Sequence, residues 1–307
     1  MTPPTDSPAS KKERREAARE KARVTREAEA RRRRRNKWLL QGGLVVGVVA
    51  VLAIVALVIT QSIKPAGPGP ANMASDGLVL EGSNGAVTAV PSGALAADAT
   101  PTPAPSASGD VPSIVVYLDY MCPFCGQFDT TNAQQLDEAV SSGAATLAIH
   151  PIGFLDNASQ GSRYSTRAAN AFACVANHEP DKALDVNTAL FAQQPEENTR
   201  GLTNDELVTL VQGAGATDDQ IPSCITGGDF EDWVASATQR ALNDPIPNSS
   251  LDKLASTPLV LVNGQQYQGS LTDASTFAQF VAEVQNGAPT GDTSTGETGG
   301  STATPTP

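Results

Sequence analysis

Histidine is almost missing from this chain: His150 and His178 are the only two in 307 residues, and they stand far apart. That pattern supports neither a histidine-containing catalytic triad nor a histidine-rich metal site. Basic residues are scarce over most of the length as well. Residues 1–37 hold 14 of the 21 Lys and Arg and 6 of the 33 Asp and Glu, and residues 38–63 hold none. The remainder therefore carries 7 basic against 27 acidic side chains. Such an acidic balance favours solubility and repels anionic surfaces, nucleic acid included. Cysteine is limited to four residues, and none follows the long uncharged run closely enough to carry a lipid anchor.

That run, Trp38 to Ile63, extends over 26 residues without a charge. At about 1.5 Å per residue it can cross a hydrocarbon core of roughly 30 Å, so residues 38–63 are expected to form one transmembrane helix. The basic arm 1–37 before it orients the N-terminus to the cytoplasm and everything after Ile63 to the outside, as a single-pass protein of the cell membrane. The rival is a cleaved signal peptide. Its apolar core is normally roughly 7–15 residues, and Gly69-Pro70-Ala71 is a poor cleavage site because of its proline. Both possibilities export the rest of the chain. The arm has no apolar stripe at helical spacing and no base-reading chemistry, so it reads as a topology signal that also attracts anionic lipid.

Residues 64–109 read as a Pro/Gly-rich linker holding one possible short hairpin at 78–90, and residues 288–307 as a disordered tail of Gly, Thr, Ser and Pro. Residues 110–287 remain for one compact domain, a normal size for a single core. Within it Ile114–Asp119 is a buried-type strand. A helix follows with Phe124, Phe128, Leu136 and Val140 on its apolar side and Gly143 near its end, and Ala145–Ile149 is a second strand. Strand, helix, strand implies a parallel pair with a right-handed crossover. A helical insertion, about 155–256, comes next. Tyr164, Ala168, Ala171 and Val175 share one helix face there, and Thr203 with Glu206 and Thr217 with Gln220 both fit the capping box. Leu259–Val262, Asn263-Gly264 and Tyr267 predict a hairpin with a type I′ turn. A last helix carries Phe277, Phe280, Val281 and Val284 and closes at Gly287.

Cys122-Pro123-Phe124-Cys125 lies at the junction of the first strand and helix. A thiol at a helix N-terminus faces unpaired N–H groups and the positive end of the helix dipole, which stabilise a thiolate. Cys122 is expected to be the attacking sulfur, first in the motif and nearest solvent, with Cys125 shielded in the first turn. Pro123 suits that turn and fixes its geometry. No cofactor and no metal are expected. The competing use of the pair is half of a zinc site completed by Cys174 and Cys224, but those two are 50 residues apart and lack ligand-pair spacing.

A CxxC at a strand–helix junction, a helical insertion, and Thr257-Pro258 leading into the strand Leu259-Val260-Leu261-Val262 resemble a DsbA-like thioredoxin fold, here an α/β domain preceded by one transmembrane helix. With the single anchor and the acidic exported domain, the chain is similar to the membrane-anchored thiol–disulfide oxidoreductases of actinobacteria. The resemblance covers about residues 110–287. It implies a cis peptide bond before Pro258, facing the two thiols, and makes Thr257 and Pro258 substrate-contact positions. It also implies a membrane-bound, quinone-coupled thiol oxidoreductase as the electron acceptor. Phe124 stands where the best-known members carry His, which removes a donor or cation beside the thiolate and argues against a very strongly oxidising pair.

In the oxidising direction a substrate thiolate would attack Cys122, and a second substrate thiol would resolve the mixed disulfide. Export favours an oxidase that introduces disulfides into reduced or unfolded secreted proteins. A reductase or isomerase on the same fold is the alternative, as is a redox-inactive peptide-binding chaperone. Four cysteines allow three connectivities, and pairing Cys122 with Cys125 leaves Cys174 with Cys224. A loop of that length contributes roughly 3–4 kcal/mol in the chain-entropy model, and two buried free thiols are the other possibility. Asp119 has two readings, a proton-transfer group for the thiols or a solvated strand-end carboxylate whose charge opposes thiolate formation.

Overall fold

The computed structural model describes residues 67–97, 99–103 and 111–287, together with Arg23. The rest of the basic arm, the expected transmembrane segment 38–63 and the tail 288–307 lie outside the described residues. Among the described residues no helix is long and apolar enough to cross a membrane.

Chain order is β1 (Leu78–Ser83), β2 (Ala86–Ala89), β3 (Ser113–Leu118), α1 (Pro123–Ser141), β4 (Thr146–Pro151), α2 (Tyr164–His178), α3 (Ala183–Ala192), α4 (Asn204–Gly213), α5 (Ile221–Gly227), α6 (Glu231–Asn243), β5 (Leu259–Val262), β6 (Gln265–Gln266) and α7 (Ala274–Gln285). The strands form one sheet in the order β2-β1-β4-β3-β5-β6. β3 and β4 are parallel, joined through α1 as the strand–helix–strand spacing implies, and β5 runs antiparallel to β3. This β-α-β, helical insertion, β-β-α order is the thioredoxin-type architecture with a DsbA-like insertion.

Alternation along the strands sorts their side chains between two faces. Ile114, Val116 and Leu118 of β3 and Val260 and Val262 of β5 enter the main core with α1, α7 and the insertion helices. Tyr117, Leu259 and Leu261 enter a smaller cluster on the opposite face, with Ala241 of α6, Ile246 and Leu254. Register carries the sorting across the sheet, since Val116 faces Val260 and Tyr117 faces Leu259.

The hairpin at 78–90 does more than interrupt a linker. β1 pairs antiparallel with β4, with Leu78 opposite Ile149 and Leu80 opposite Leu147, and so extends the central sheet. Its approach is fastened to the insertion: Arg240 of α6 grips Asp76 through Nε and Nη2 at 2.6 and 2.7 Å, and Asn72 Nδ2 donates to Ala176 O of α2. Asn263 and Gly264 both take positive φ, 47° and 81°, in the expected two-residue turn between β5 and β6.

The expected helical insertion consists of five α-helices, α2 to α6, among the described residues. Thr203 and Glu206 form the full capping box on α4. Thr217 and Gln220 do not form one: α5 begins at Ile221, Gln220 gives it no side-chain cap, and Glu179 from the end of α2 takes the Thr217 and Asp218 N–H groups instead. On α1 the expectation for Phe124 is also corrected. It stands 57% exposed at the helix tip, while Phe128, Leu136 and Val140 are buried as the periodicity implies.

Candidate active site

β3 ends at Leu118 and α1 begins at Pro123, with Cys122 as N-cap in extended conformation and Pro123 in the first turn. Proline has no N–H to lose at that position, and its fixed φ suits the helix start. Asp119 shapes the turn between strand and helix. Its Oδ1 accepts from Met121 N and its Oδ2 from Leu155 N, both at 2.7 Å, and the Cys122 N–H donates to Asp119 O. Gln194, just beyond α3, fastens the same turn from above, donating from Nε2 to Tyr120 O at 3.1 Å and Cys122 O at 2.9 Å. Gly126 allows this close approach, because a Cβ there would lie 2.2 Å from Gln194 Oε1.

The peptide bond between Thr257 and Pro258 is cis, as the resemblance implies. It brings Thr257 O to the thiols, where it accepts from Cys122 Sγ at 3.4 Å. Cys122, Cys125, Thr257 and Pro258 therefore converge, although 135 residues separate Cys122 from Thr257. Both cysteines are free thiols and both are buried, Cys122 4% and Cys125 2% exposed. Cys122 is the nearer of the two to solvent, as expected, but both are buried, and Thr257 of the loop before Pro258 lies against Cys122.

What distinguishes the two sulfurs is electrostatic. The Cys122 thiol is pushed down to about 6, first by the Cys125 thiol hydrogen-bonded to it. The Thr257 side chain and the N–H groups of Cys125 and Phe124 act in the same direction, against the effect of burial. The Cys125 thiol is pushed well up, by burial first and then by Cys122. One thiol is ready to ionise near neutral pH, and its neighbour is held protonated as its hydrogen-bond donor.

Asp119 is fully buried, so the solvated strand-end carboxylate is excluded. Burial raises its carboxyl to about 7, against the two backbone N–H groups that it accepts. Cys174 and Cys224 form a disulfide between α2 and α5, with S–S 2.00 Å and Cα–Cα 5.9 Å. A zinc site completed by these two is therefore ruled out. Sequence reasoning missed Gln194, Asn187 and Asp129. The available signal was Asp129 itself, a carboxylate four residues after Cys125 on the face that carries Phe128 and Leu136.

A thioredoxin family model matches residues 108–282. Among solved structures, reduced DsbA from Mycobacterium tuberculosis is 25% identical, with 70% of this chain and 94% of that chain covered and a TM-score of 0.52. The oxidised form is 26% identical, with 69% and 94% covered and the same TM-score. MdbA from Corynebacterium diphtheriae, a thiol-disulfide oxidoreductase, shares the fold at 16% identity, with 71% and 94% covered and a TM-score of 0.50. Among curated proteins, serine/threonine-protein kinase PknE of Mycobacterium tuberculosis is 37% identical over 120 residues, 38% of this chain and 21% of the kinase. The chain thus spans about a fifth of the length of the curated relatives it matches.

Proposed function

The chain belongs to the thioredoxin family, and from that premise we propose that it is an extracytoplasmic thiol–disulfide oxidoreductase, an oxidase that introduces disulfides into reduced secreted proteins through Cys122 and Cys125. The observation that carries this is the asymmetry of the two thiols beside the cis-proline loop: Cys122 ionises low, Cys125 is held protonated, and Thr257 O lies 3.4 Å from Cys122 Sγ. In the disulfide state, a substrate thiolate attacks Cys122. The Cys122–Cys125 bond breaks, a Cys122–substrate bond forms, and the electron pair leaves on Cys125, which takes a proton. A second substrate thiolate then attacks the substrate sulfur, and Cys122 departs as the thiolate. Two electrons pass to the enzyme, and the low pKa of Cys122 makes it a good leaving group.

The cis-proline loop at Thr257 offers an incoming peptide main-chain hydrogen bonds, and exposed Phe124 offers it an apolar contact beside the thiol. Export is supported by the basic arm and uncharged run at the N-terminus, and by the Cys174–Cys224 disulfide, a bond that persists in oxidising compartments. An oxidase needs an electron acceptor to restore its disulfide; a membrane-bound quinone-coupled thiol oxidoreductase would fill that role.

The test is oxidative refolding of a reduced, unfolded disulfide protein by the disulfide form of this chain. Cys122→Ala is expected to abolish the acceleration. Equal acceleration by Cys122→Ala, or mere suppression of aggregation by both proteins, would overturn the assignment in favour of a peptide-binding chaperone.

A further inference from the structure

Tyr120, two places before Cys122, ties the insertion to the redox turn. It is fully buried, and the end of α3 grips it from hydroxyl to carbonyl. Asn187 Oδ1 accepts from its hydroxyl at 3.0 Å, and the Phe191 ring packs on its ring with centroids 5.0 Å apart. Those two residues are one helical turn apart and share a face of α3. Buried Asp129 of α1 orients the Asn187 amide, accepting from Nδ2 at 2.7 Å. Gln194 follows two residues past the end of α3, and its N–H donates to Phe191 O at 3.1 Å. Pro195 comes next, and a residue before proline is pushed out of the helical region, so the chain leaves the helix there.

From that root the Gln194 carboxamide spans two carbonyls, Tyr120 O at 3.1 Å and Cys122 O at 2.9 Å. Cys122 O is also the first acceptor of α1, taking the Gly126 N–H at 3.1 Å. The N-cap carbonyl of the redox helix thus has two donors, one from its own helix and one from the insertion. Room for the second exists because residue 126 is glycine. A Cβ there would stand 2.2 Å from Gln194 Oε1, and its three nearest neighbours would all be atoms of that carboxamide.

We propose that Gln194 is a positioning residue for disulfide exchange, its carboxamide seated over Gly126 so as to hold the Cys122 main chain and aim the sulfur along one line of attack. The inference rests on the thiol–disulfide assignment above. A peptide plane is rigid, so pinning the planes on both sides of a residue fixes its two backbone torsions. The Cys122 N–H is pinned on Asp119 O, and the Cys122 carbonyl on Gln194 and Gly126. The plane before these is held by the Asp119 carboxylate on Met121 N and by Gln194 on Tyr120 O. Only rotation about χ1 then remains to place the Cys122 sulfur. Cys125 and Asp119 are titratable groups that interact with Cys122 itself. The Gln194 side chain is uncharged and its hydrogen bonds end on main-chain carbonyls, so its effect on Cys122 passes through the main chain.

Gly126→Ala and Gln194→Met test this from opposite sides. The first leaves Gln194 in the chain but pushes its carboxamide off Cys122, in a helix that alanine favours over glycine. The second keeps the length of the side chain and removes both donors. Each reduced protein is mixed with oxidised glutathione or with a disulfide-bonded peptide, quenched with acid at intervals, and loss of the dithiol followed by mass spectrometry across pH. In this reaction the Cys122 thiolate attacks one glutathione sulfur, the glutathione disulfide breaks, and a glutathione thiolate departs. Both variants are expected to react about 10-fold more slowly with either disulfide, the cost of a misaimed sulfur. Their pH midpoints are expected to rise, because the first-turn N–H groups meet a displaced thiolate. The double variant should be no slower than either single one, since both remove the same contact. Gly126→Ala should do so without a lower urea unfolding midpoint, and a rate loss that merely tracks lost stability would overturn the proposal. Parental rates in both variants, or slowing with the peptide alone, would overturn it too and leave the oxidoreductase assignment intact. Failure of the parent protein to react with glutathione would sink both. If Gln194→Met does not fold, Gly126→Ala and hydrogen exchange of the Gln194 side-chain amide in the parent decide. Protection in the dithiol and disulfide forms is expected, and exchange as fast as in free glutamine would contradict the positioning role.

Discussion

At the residue scale the function turns on a division of labour between two buried sulfurs. Neither owes its character to solvent contact. Cys122 is acidic chiefly because Cys125 donates to it, and Cys125 can donate because burial keeps it protonated. Cys125→Ala should therefore raise the Cys122 pKa from about 6 toward the ordinary thiol range. Thiolate absorbance or the alkylation rate of the reduced protein, followed against pH, checks this. In the parent, reactivity should climb as pH rises through about 6, because the thiolate is the nucleophile. An unchanged midpoint in the variant would shift the cause to the helix N-terminus and Thr257. The motif and its position at a strand–helix junction were plain in the sequence. Burial was not, since it depends on a loop 135 residues away folding over Cys122. Phe124 shows the same limit: its spacing suits the apolar side of α1, but it stands exposed while its neighbour Cys125 is buried.

At the element scale, local chemistry was legible where it stayed local. The capping box of α4, the Asn263-Gly264 turn and the apolar faces of α2 and α7 involve residues within one or two turns of each other. Thr217 and Gln220 failed because Glu179, 38 residues earlier in the chain, reaches the N–H groups that the box would have served. Asp129 escaped notice for a related reason, as helical periodicity counts apolar residues and passes over a buried carboxyl among them. The Cys174–Cys224 disulfide joins α2 to α5 across 50 residues. Replacing both by Ala is expected to lower stability by roughly 2–4 kcal/mol, measured by urea unfolding, through release of the unfolded chain. The double variant should retain exchange at Cys122. Loss of exchange at full stability would mean that the insertion positions the site through this bond.

On the scale of the whole molecule, the parallel β3–β4 pair and the antiparallel β5–β6 hairpin could be read from element order alone, whereas the place of β1 could not. Its partner β4 lies about 70 residues onward, and its short run between Gly- and Pro-rich stretches resembles a linker until the Asp76–Arg240 pair and the β4 register are seen. The sheet sets the thiols at the C-terminal end of β3, and the insertion roofs them through Gln194. We propose that this arrangement makes the pair an oxidant. Stabilising one thiolate of the reduced state raises the potential, by roughly 30 mV for each 1.4 kcal/mol, whereas the raised pKa of Cys125 and the absence of a donor from Phe124 limit the rise. The most direct measurement is the equilibrium of the Cys122–Cys125 pair with a glutathione redox buffer. The expected potential is less negative than about −200 mV, and a value near −270 mV, that of a thioredoxin reductant, would contradict the oxidase assignment.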